Sequence, residues 1–336
     1  MRKNYCFVIL AAAAALFILS TQATAYTVSG YVNNPGKYST TGSLWDVLQG
    51  PDAVSFPNTA PYEYPCYNET TVPCITLPNP AYDLNNTNHN MVDSNYVVVT
   101  GEDGSRALYS VGELDPKFAP ASSEVTLTCD KHGRCDVAGE GRAVHHVSNI
   151  DVVHAVTTVH LNGTVNGVSF PFTHFYSPLI VVSGEGITPR TYNLADLRAM
   201  KQETFNASSS TTNTQGIWAG PTLASLLEAS GVDTKDMDSY IIVQATDSYA
   251  AVLSMYEATQ NPSGSYALLA ISGFQLDSTT GNFDKQTINN CECSTDSDNG
   301  FARLILPNDT VAGRWVSNVA QIVVYKHKRE FCWRNF

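Results

Sequence analysis

The sequence predicts an α+β protein, β-rich with short helices, arranged as two tandem copies of one unit. Three observations carry that prediction. Charged residues make up only 15% of the chain, while Ser, Thr, Asn and Tyr are abundant, a balance that favours strands over solvated helices. The stretch YVVVTGEDGSRALYSVGE (96–113) aligns without a gap on YIIVQATDSYAAVLSMYE (240–257). Finally, TLASLLEASG (222–231) sets Leu223, Leu226 and Leu227 on one helical face and ends in a Ser-Gly stop, the pattern of a short amphipathic helix.

Taken from the N-terminus, the chain opens with MRKNYCFVILAAAAALFILSTQATA, a basic start, an apolar run and an Ala-Thr-Ala exit. That is the pattern of a secretory signal over residues 1–25, cut before Tyr26. Later apolar runs fall short of the ~20 residues that cross a bilayer, so no membrane span is expected after cleavage. The expected address is secreted, extracellular or cell surface, or periplasmic if the envelope has two membranes. Removing 25 of 336 residues leaves 311, enough for one large domain or two ordinary ones.

The repeat divides that length into a first copy over 26–155 and a second over 156–336. VSGYVNNPGKYS (28–39) answers VSGEGITPRTYN (182–193), GSLWDVLQG (42–50) answers PTLASLLEASG (221–231), and EGRAVHHVSNIDVV (140–153) answers AGRWVSNVAQIVVY (312–325). Together with the long stretch these are four collinear blocks, with Asp103 on Asp247, Ser110 on Ser254 and Glu113 on Glu257. A period near 150 residues exceeds any solenoid repeat, so each copy is expected to carry its own core. Within it, the β-branched runs YVVVT and YIIVQ read as buried strands. FARLILPNDTVAGRWVSNVAQIVVY reads as a strand, a turn at Pro307–Gly313 and another strand.

Seven cysteines follow the leader: Cys66, Cys74, Cys129, Cys135, Cys291, Cys293 and Cys332. In an oxidising compartment disulfides are the default. Cys66–Cys74 and Cys129–Cys135 would each close a short loop, the second around a DKHGR hairpin tip. A bridge between Cys291 and Cys293 would be strained, so Cys332 is expected to take one of them, leaving one thiol over. Sequons at Asn68, Asn85, Asn162, Asn206 and Asn308 are candidate glycosylation sites.

The net charge of −12 argues against a nucleic-acid partner, since the chain has no basic stripe to meet phosphates. His145, His146, His154, His160 and His174 cluster in sequence, but without metal-ligand spacing they are expected to be ordinary surface or interface residues. On a continuous strand His145 and His146 would point to opposite faces. A Gly-x-Ser-x-Gly elbow is absent, and STDSDNG (294–300) lacks a calcium loop's ligand spacing. The repeated Asp103 and Asp247 are expected to hydrogen-bond turn backbone and not to act as bases.

One resemblance follows from these blocks. The run from IWAGPTLASLLEASGV through YIIVQATDSYAAVLSMYEA to FARLILPNDTVAGRWVSNVAQIVVY is similar to the molybdopterin-binding domain of the sulfite-oxidase family. Trp218, Gly220, Leu223, Asp247, Tyr249, Arg303, Pro307, Gly313, Arg314 and Val316 fall on that family's pattern. The resemblance implies a sulfite-oxidase-like fold for both copies. It also implies a surviving pocket around Trp218, Asp247, Tyr249, Arg303 and Arg314 for a small polar or anionic ligand. The family's chemistry needs a cysteine thiolate on molybdenum before the Trp-x-Gly helix. The corresponding QETFNASSSTTNTQGIWAG has none, and no cysteine stands between Cys135 and Cys291. The family's turn lysine is replaced by Ser317 and His145. The expectation is therefore no metal and no cofactor, and a non-catalytic binding or surface-structural protein, with an extracellular partner or self-assembly as its business. The alternative is a molybdopterin-dependent oxidoreductase using a non-cysteine ligand.

Overall fold

The structure, a computed structural model, describes residues 26–30, 32, 34–49, 95–120, 124–155, 163–165, 168–170, 179–209, 214–245, 250–260, 266–276, 283–288 and 302–327. It is an α+β fold dominated by strands, with short helices set at strand ends. The first part of the chain contains β1 (Tyr26–Gly30), β2 (Gly36–Tyr38), β3 (Gly42–Ser43), α1 (Leu44–Gln49), β4 (Asn95–Gly101), β5 (Arg106–Ser110) and α2 (Val111–Leu114). It continues through β6 (Thr126–Cys129), β7 (Cys135–Gly139), β8 (Arg142–Val144) and β9 (Val147–His154). A small hairpin, β10 (Gly163–Val165) and β11 (Val168–Phe170), precedes β12 (Ile180–Gly184), β13 (Ile187–Tyr192) and α3 (Leu194–Ala199). Then come β14 (Glu203–Ser209), β15 (Thr214–Gly220), α4 (Leu223–Ala229), β16 (Ser239–Ala245), β17 (Ala250–Ser254) and α5 (Met255–Thr259). The last strands are β18 (Leu268–Ala270), β19 (Ser272–Leu276), β20 (Phe283–Ile288), β21 (Arg303–Ile305) and β22 (Val319–Lys326).

Two five-stranded sheets share one plan. The first runs β2-β1-β9-β4-β5 and the second β13-β12-β22-β16-β17. In each, one parallel pair sits among antiparallel neighbours: Val28 lies opposite Ile150, and Val182 opposite Ile322. Tyr96 faces Ser110 as Tyr240 faces Ser254. Even the irregularities match. The register slips between Thr100 and Gly101 and again between Gln244 and Ala245, and the residues His146 and Asn318 at those slips both take positive φ. The shared Val-Ser-Gly has a physical reason too. A Cβ on Gly30 would collide with the Val152 carbonyl oxygen, and one on Gly184 with that of Val324. The neighbouring strand passes too close there for any side chain.

The helices follow from their caps. Ser43 Oγ accepts from Asp46 N at the start of α1, and Thr222 Oγ1 accepts from Ser225 N at the start of α4. Leu223, Leu226 and Leu227 of α4 are fully buried, as their spacing predicts. Within QETFNASSSTTNTQGIWAG, β14 and β15 pair antiparallel, with Asn206 opposite Ile217. The DKHGR tip is a tight turn: Asp130 N donates to Arg134 O, Gly133 takes positive φ, and Cys129–Cys135 closes the loop as a disulfide. His145 and His146 differ from the strand parity expected of them. They occupy a bend between β8 and β9, both exposed, because the repeated slip turns the backbone there.

The two sheets lie face to face, and that explains the unbroken apolar runs of β4 and β16. Val97, Val99, Ala107 and Tyr109 point into a core with Leu44, Leu48, Phe118, Leu127 and Ile150. Ile241, Val243, Ala251 and Leu253 point into another with Trp218, Leu223, Leu226, Leu227 and Ile322. The residues between them, Tyr96, Val98 and Leu108 on one sheet and Tyr240, Ile242, Ala250 and Val252 on the other, form a third cluster along the seam. A strand with a core on both sides has no polar face to spare. Each full-size apolar side chain buried in this seam contributes on the order of 1.5–3 kcal/mol.

Candidate functional site

The most densely charged buried part of the described structure lies along that seam, and the duplicated stretch builds it. Ser110 and Ser254 end β5 and β17 and cap the helices that follow, accepting from Glu113 N and Glu257 N at 3.1 and 3.0 Å. This fixes both glutamates in the first turn of their helices, α2 and α5. Each then takes the arginine of its own Gly-Arg block. Arg142 Nη2 lies 2.7 Å from Glu113 Oε2, and Arg314 Nη1 lies 2.6 Å from Glu257 Oε1.

The caps also reach across. Ser110 Oγ donates to Glu257 Oε2 at 2.8 Å and accepts from Arg314 Nη1 at 3.3 Å, while Ser254 Oγ accepts from Arg142 Nη1 at 3.4 Å. Tyr96 stacks on its counterpart Tyr240 with ring centroids 4.3 Å apart. Residue i thus meets j while j meets i, the reciprocity of an interface between two like surfaces.

The two arginines nevertheless have different surroundings. Arg314, 2% exposed, is forked onto Asp309, with Nη2 to Oδ1 at 2.5 Å and Nε to Oδ2 at 3.0 Å. It also lies 5.6 Å from the Phe118 ring centroid. Arg142 instead sits between Tyr109 and Tyr256, 4.0 and 4.3 Å from their ring centroids. It donates to the Leu108 carbonyl oxygen at 2.6 Å. Opposite Arg314 stands Gly112, where a Cβ would come within 2.7 Å of Nε and Nη1 and closer still to Cδ.

A cavity of about 40 Å³ opens at one end of this network. Its lining includes Glu113, Glu140, Glu257, Asp309, Asn308 and Arg314. That is room for about one water molecule. Carboxylates outnumber guanidinium groups in the cluster, and the electrostatics register the excess. Burial pushes the Glu257 carboxyl up to about 8, overcoming the pull of Arg314, while Glu113 and Asp309 add repulsion. Asp309 is raised for the same reason of burial, against the Arg314 charge. Burial thus favours the protonated Glu257 carboxyl, against the Arg314 guanidinium and the Ser110 hydroxyl, whose donated hydrogen bonds both favour the carboxylate.

Of the five residues expected to form a ligand pocket, three are described, and their side chains are engaged in two places. Trp218 is fully buried in the second core, edge-on to Trp315 with centroids 5.9 Å apart. Arg303 joins that pair, its guanidinium 5.5 Å from the Trp218 ring centroid and 5.6 Å from that of Trp315. Arg314 is engaged with Asp309 and Glu257 at the seam. Asp247 and Tyr249 lie outside the described residues, as do Cys66, Cys74, Cys291, Cys293, Cys332, Asn68, Asn85 and Asn162. Asn206 is exposed on β14, and Asn308 is half-buried beside the cavity. Asp103 accepts from Ser105 N at 2.8 Å, the turn role expected of it. Among the described residues there is no cluster of His, Cys, Asp and Glu able to hold a metal, and no helix long and apolar enough to cross a membrane.

Sequence reasoning missed the seam. Its signal was present: Ser110, Glu113 and Arg142 each recur in the second copy, a polar set inside otherwise apolar blocks.

No family model matches the chain, and no curated protein matches it. Among solved structures it is similar to the sulfane dehydrogenase SoxCD from Paracoccus pantotrophus, at 15% identity and a TM-score of 0.32. That alignment covers 62% of this chain and 48% of the other, so the chain spans less than half of it.

Proposed function

We propose that this is a secreted or cell-surface protein of two molybdopterin-oxidoreductase-like units that lack the metal-ligating cysteine, and that it acts in binding or surface structure without catalysing a redox reaction. The carrying observation is how the family-pattern cation Arg314 is used. A pterin pyrophosphate needs cations free to meet it. Here Arg314 is 2% exposed and already shared between two carboxylates. Trp218 is likewise spent on packing against Trp315. The segment that should carry the thiolate is a hairpin without sulfur, and the chain offers no cysteine from 136 to 290. The residues present do not fit the cofactor.

The reading is tested by assaying molybdenum and released pterin on protein purified from its own source, alongside sulfite oxidation. The expected result is neither metal nor activity. One molybdenum per chain, with pterin released on denaturation, would restore the oxidoreductase.

A further inference from the structure

The seam joins two surfaces built from the same repeated residues. By symmetry alone, a second copy of the chain could meet it in two ways. Two chains could exchange halves, each first sheet pairing with the other chain's second sheet, which closes into a dimer. Alternatively, like could pair with like, which leaves the remaining faces open and propagates end to end. We propose that the seam is selective between these: each sheet accepts only its unlike partner, with Gly112 and Tyr256 as the discriminating pair.

These two residues occupy the same place in the aligned stretches, one position before Glu113 and Glu257. In the native seam Gly112 faces Arg314, and Tyr256 faces Arg142. Pairing two second sheets would put Tyr256 where Gly112 stands, against Arg314. That position has no space even for a Cβ, which would lie 2.7 Å from Nε and Nη1. Arg314 cannot yield, because Asp309 holds it by two hydrogen bonds and Glu257 by a third contact. Pairing two first sheets would put Gly112 where Tyr256 stands. Arg142 would then lose one of the two rings that flank it, and the space would go unfilled. Steric exclusion guards one like pairing and lost packing the other. The Tyr96–Tyr240 stack and the two serine caps are built from residues common to both copies and do not decide between partners. A protein carrying the same adhesive face twice is thereby kept from polymerising through it.

The tyrosine stack supplies the experiment. Photo-oxidative dityrosine coupling is run on the full chain at high concentration, using an equal mixture of ¹⁴N- and ¹⁵N-labelled protein, followed by peptide mapping. The expected coupling is Tyr96 to Tyr240, within one label or, where chains have exchanged, between labels. Tyr240–Tyr240 or Tyr96–Tyr96 peptides in the unmodified protein would overturn the proposal, and so would failure to recover any Tyr96–Tyr240 coupling. Tyr256→Gly opens the excluded arrangement and should yield mixed-label Tyr240–Tyr240 peptides with a rise in mean mass by light scattering. Tyr256→Phe keeps the ring and should behave as the unmodified chain. Identical products from all three proteins would show that the pair does not discriminate.

Discussion

Stability should fall as pH rises through neutrality, because of Glu257. Its carboxyl is raised from the ordinary 4.5 to about 8 in the folded chain. Between those values the folded state holds a proton that the unfolded state has released. The contribution is therefore fully present below pH 4.5 and is lost as pH climbs through 8. Going from pH 6 to pH 8, the unfolded carboxyl follows the full slope of ~1.36 kcal/mol per pH unit, while the folded one reaches half titration only at the end of that range, so the loss is about 2 kcal/mol. For a chain of this size that lowers the unfolding midpoint by roughly 3 °C. Asp309 and Asp115 are also raised by burial and add slope of the same sign. The discriminating variant is Glu257→Gln, which keeps an acceptor for Arg314 and cannot titrate. Its thermal unfolding, followed by circular dichroism at half-unit steps from pH 6 to 8, should lose most of the slope. A slope equal to that of the unmodified protein would place the proton elsewhere and refute the assignment.

Gly112→Ala should cost about 1–3 kcal/mol in denaturant unfolding, since the added Cβ overpacks against a pinned guanidinium. The effect should shrink in a Gly112→Ala/Arg314→Lys background if the clash is the cause. Cys129→Ser with Cys135→Ser opens a loop whose ends are six residues apart, and should lower stability by roughly 2 kcal/mol in the chain-entropy account; a chemical denaturation curve unchanged from that of the unmodified chain would contradict this. Elemental analysis of natively sourced protein should find no stoichiometric molybdenum, for the reasons of thiolate and cation supply given above.

Local features were legible in the sequence because their causes are local. The leucine spacing of α4, the β-branched strands and the DKHGR tip each depend on a few neighbouring residues. The candidate pocket was less legible. Trp218, Arg303 and Arg314 were grouped by resemblance, but their uses differ: two pack together in the second core, and the third is consumed at the seam. Which partner takes a buried arginine depends on what lies across a sheet face, and Asp309, five residues away in sequence, gives no periodic signal of its role. The histidine bend was misjudged for a related reason. A register slip is set by the partner strand, and His145–His146 alone reads as a continuing strand.

The repeat itself holds one more piece of information, found where it fails. An alignment of two copies invites attention to what they share, and here the shared residues make the seam adhesive: two tyrosines that stack, two serines that cap and cross, two glutamates with two arginines. Shared residues alone would make the face indifferent to its partner. The mismatches at 112 and 256 break that indifference, and they do so where a buried charge leaves no room for error. Because removing one partner from a buried ion pair is far costlier than trimming an apolar contact, the arginines are the places where a small difference in the facing residue has the greatest leverage. A glycine in one copy and a tyrosine in the other therefore turn a symmetric, self-adhesive surface into two complementary ones.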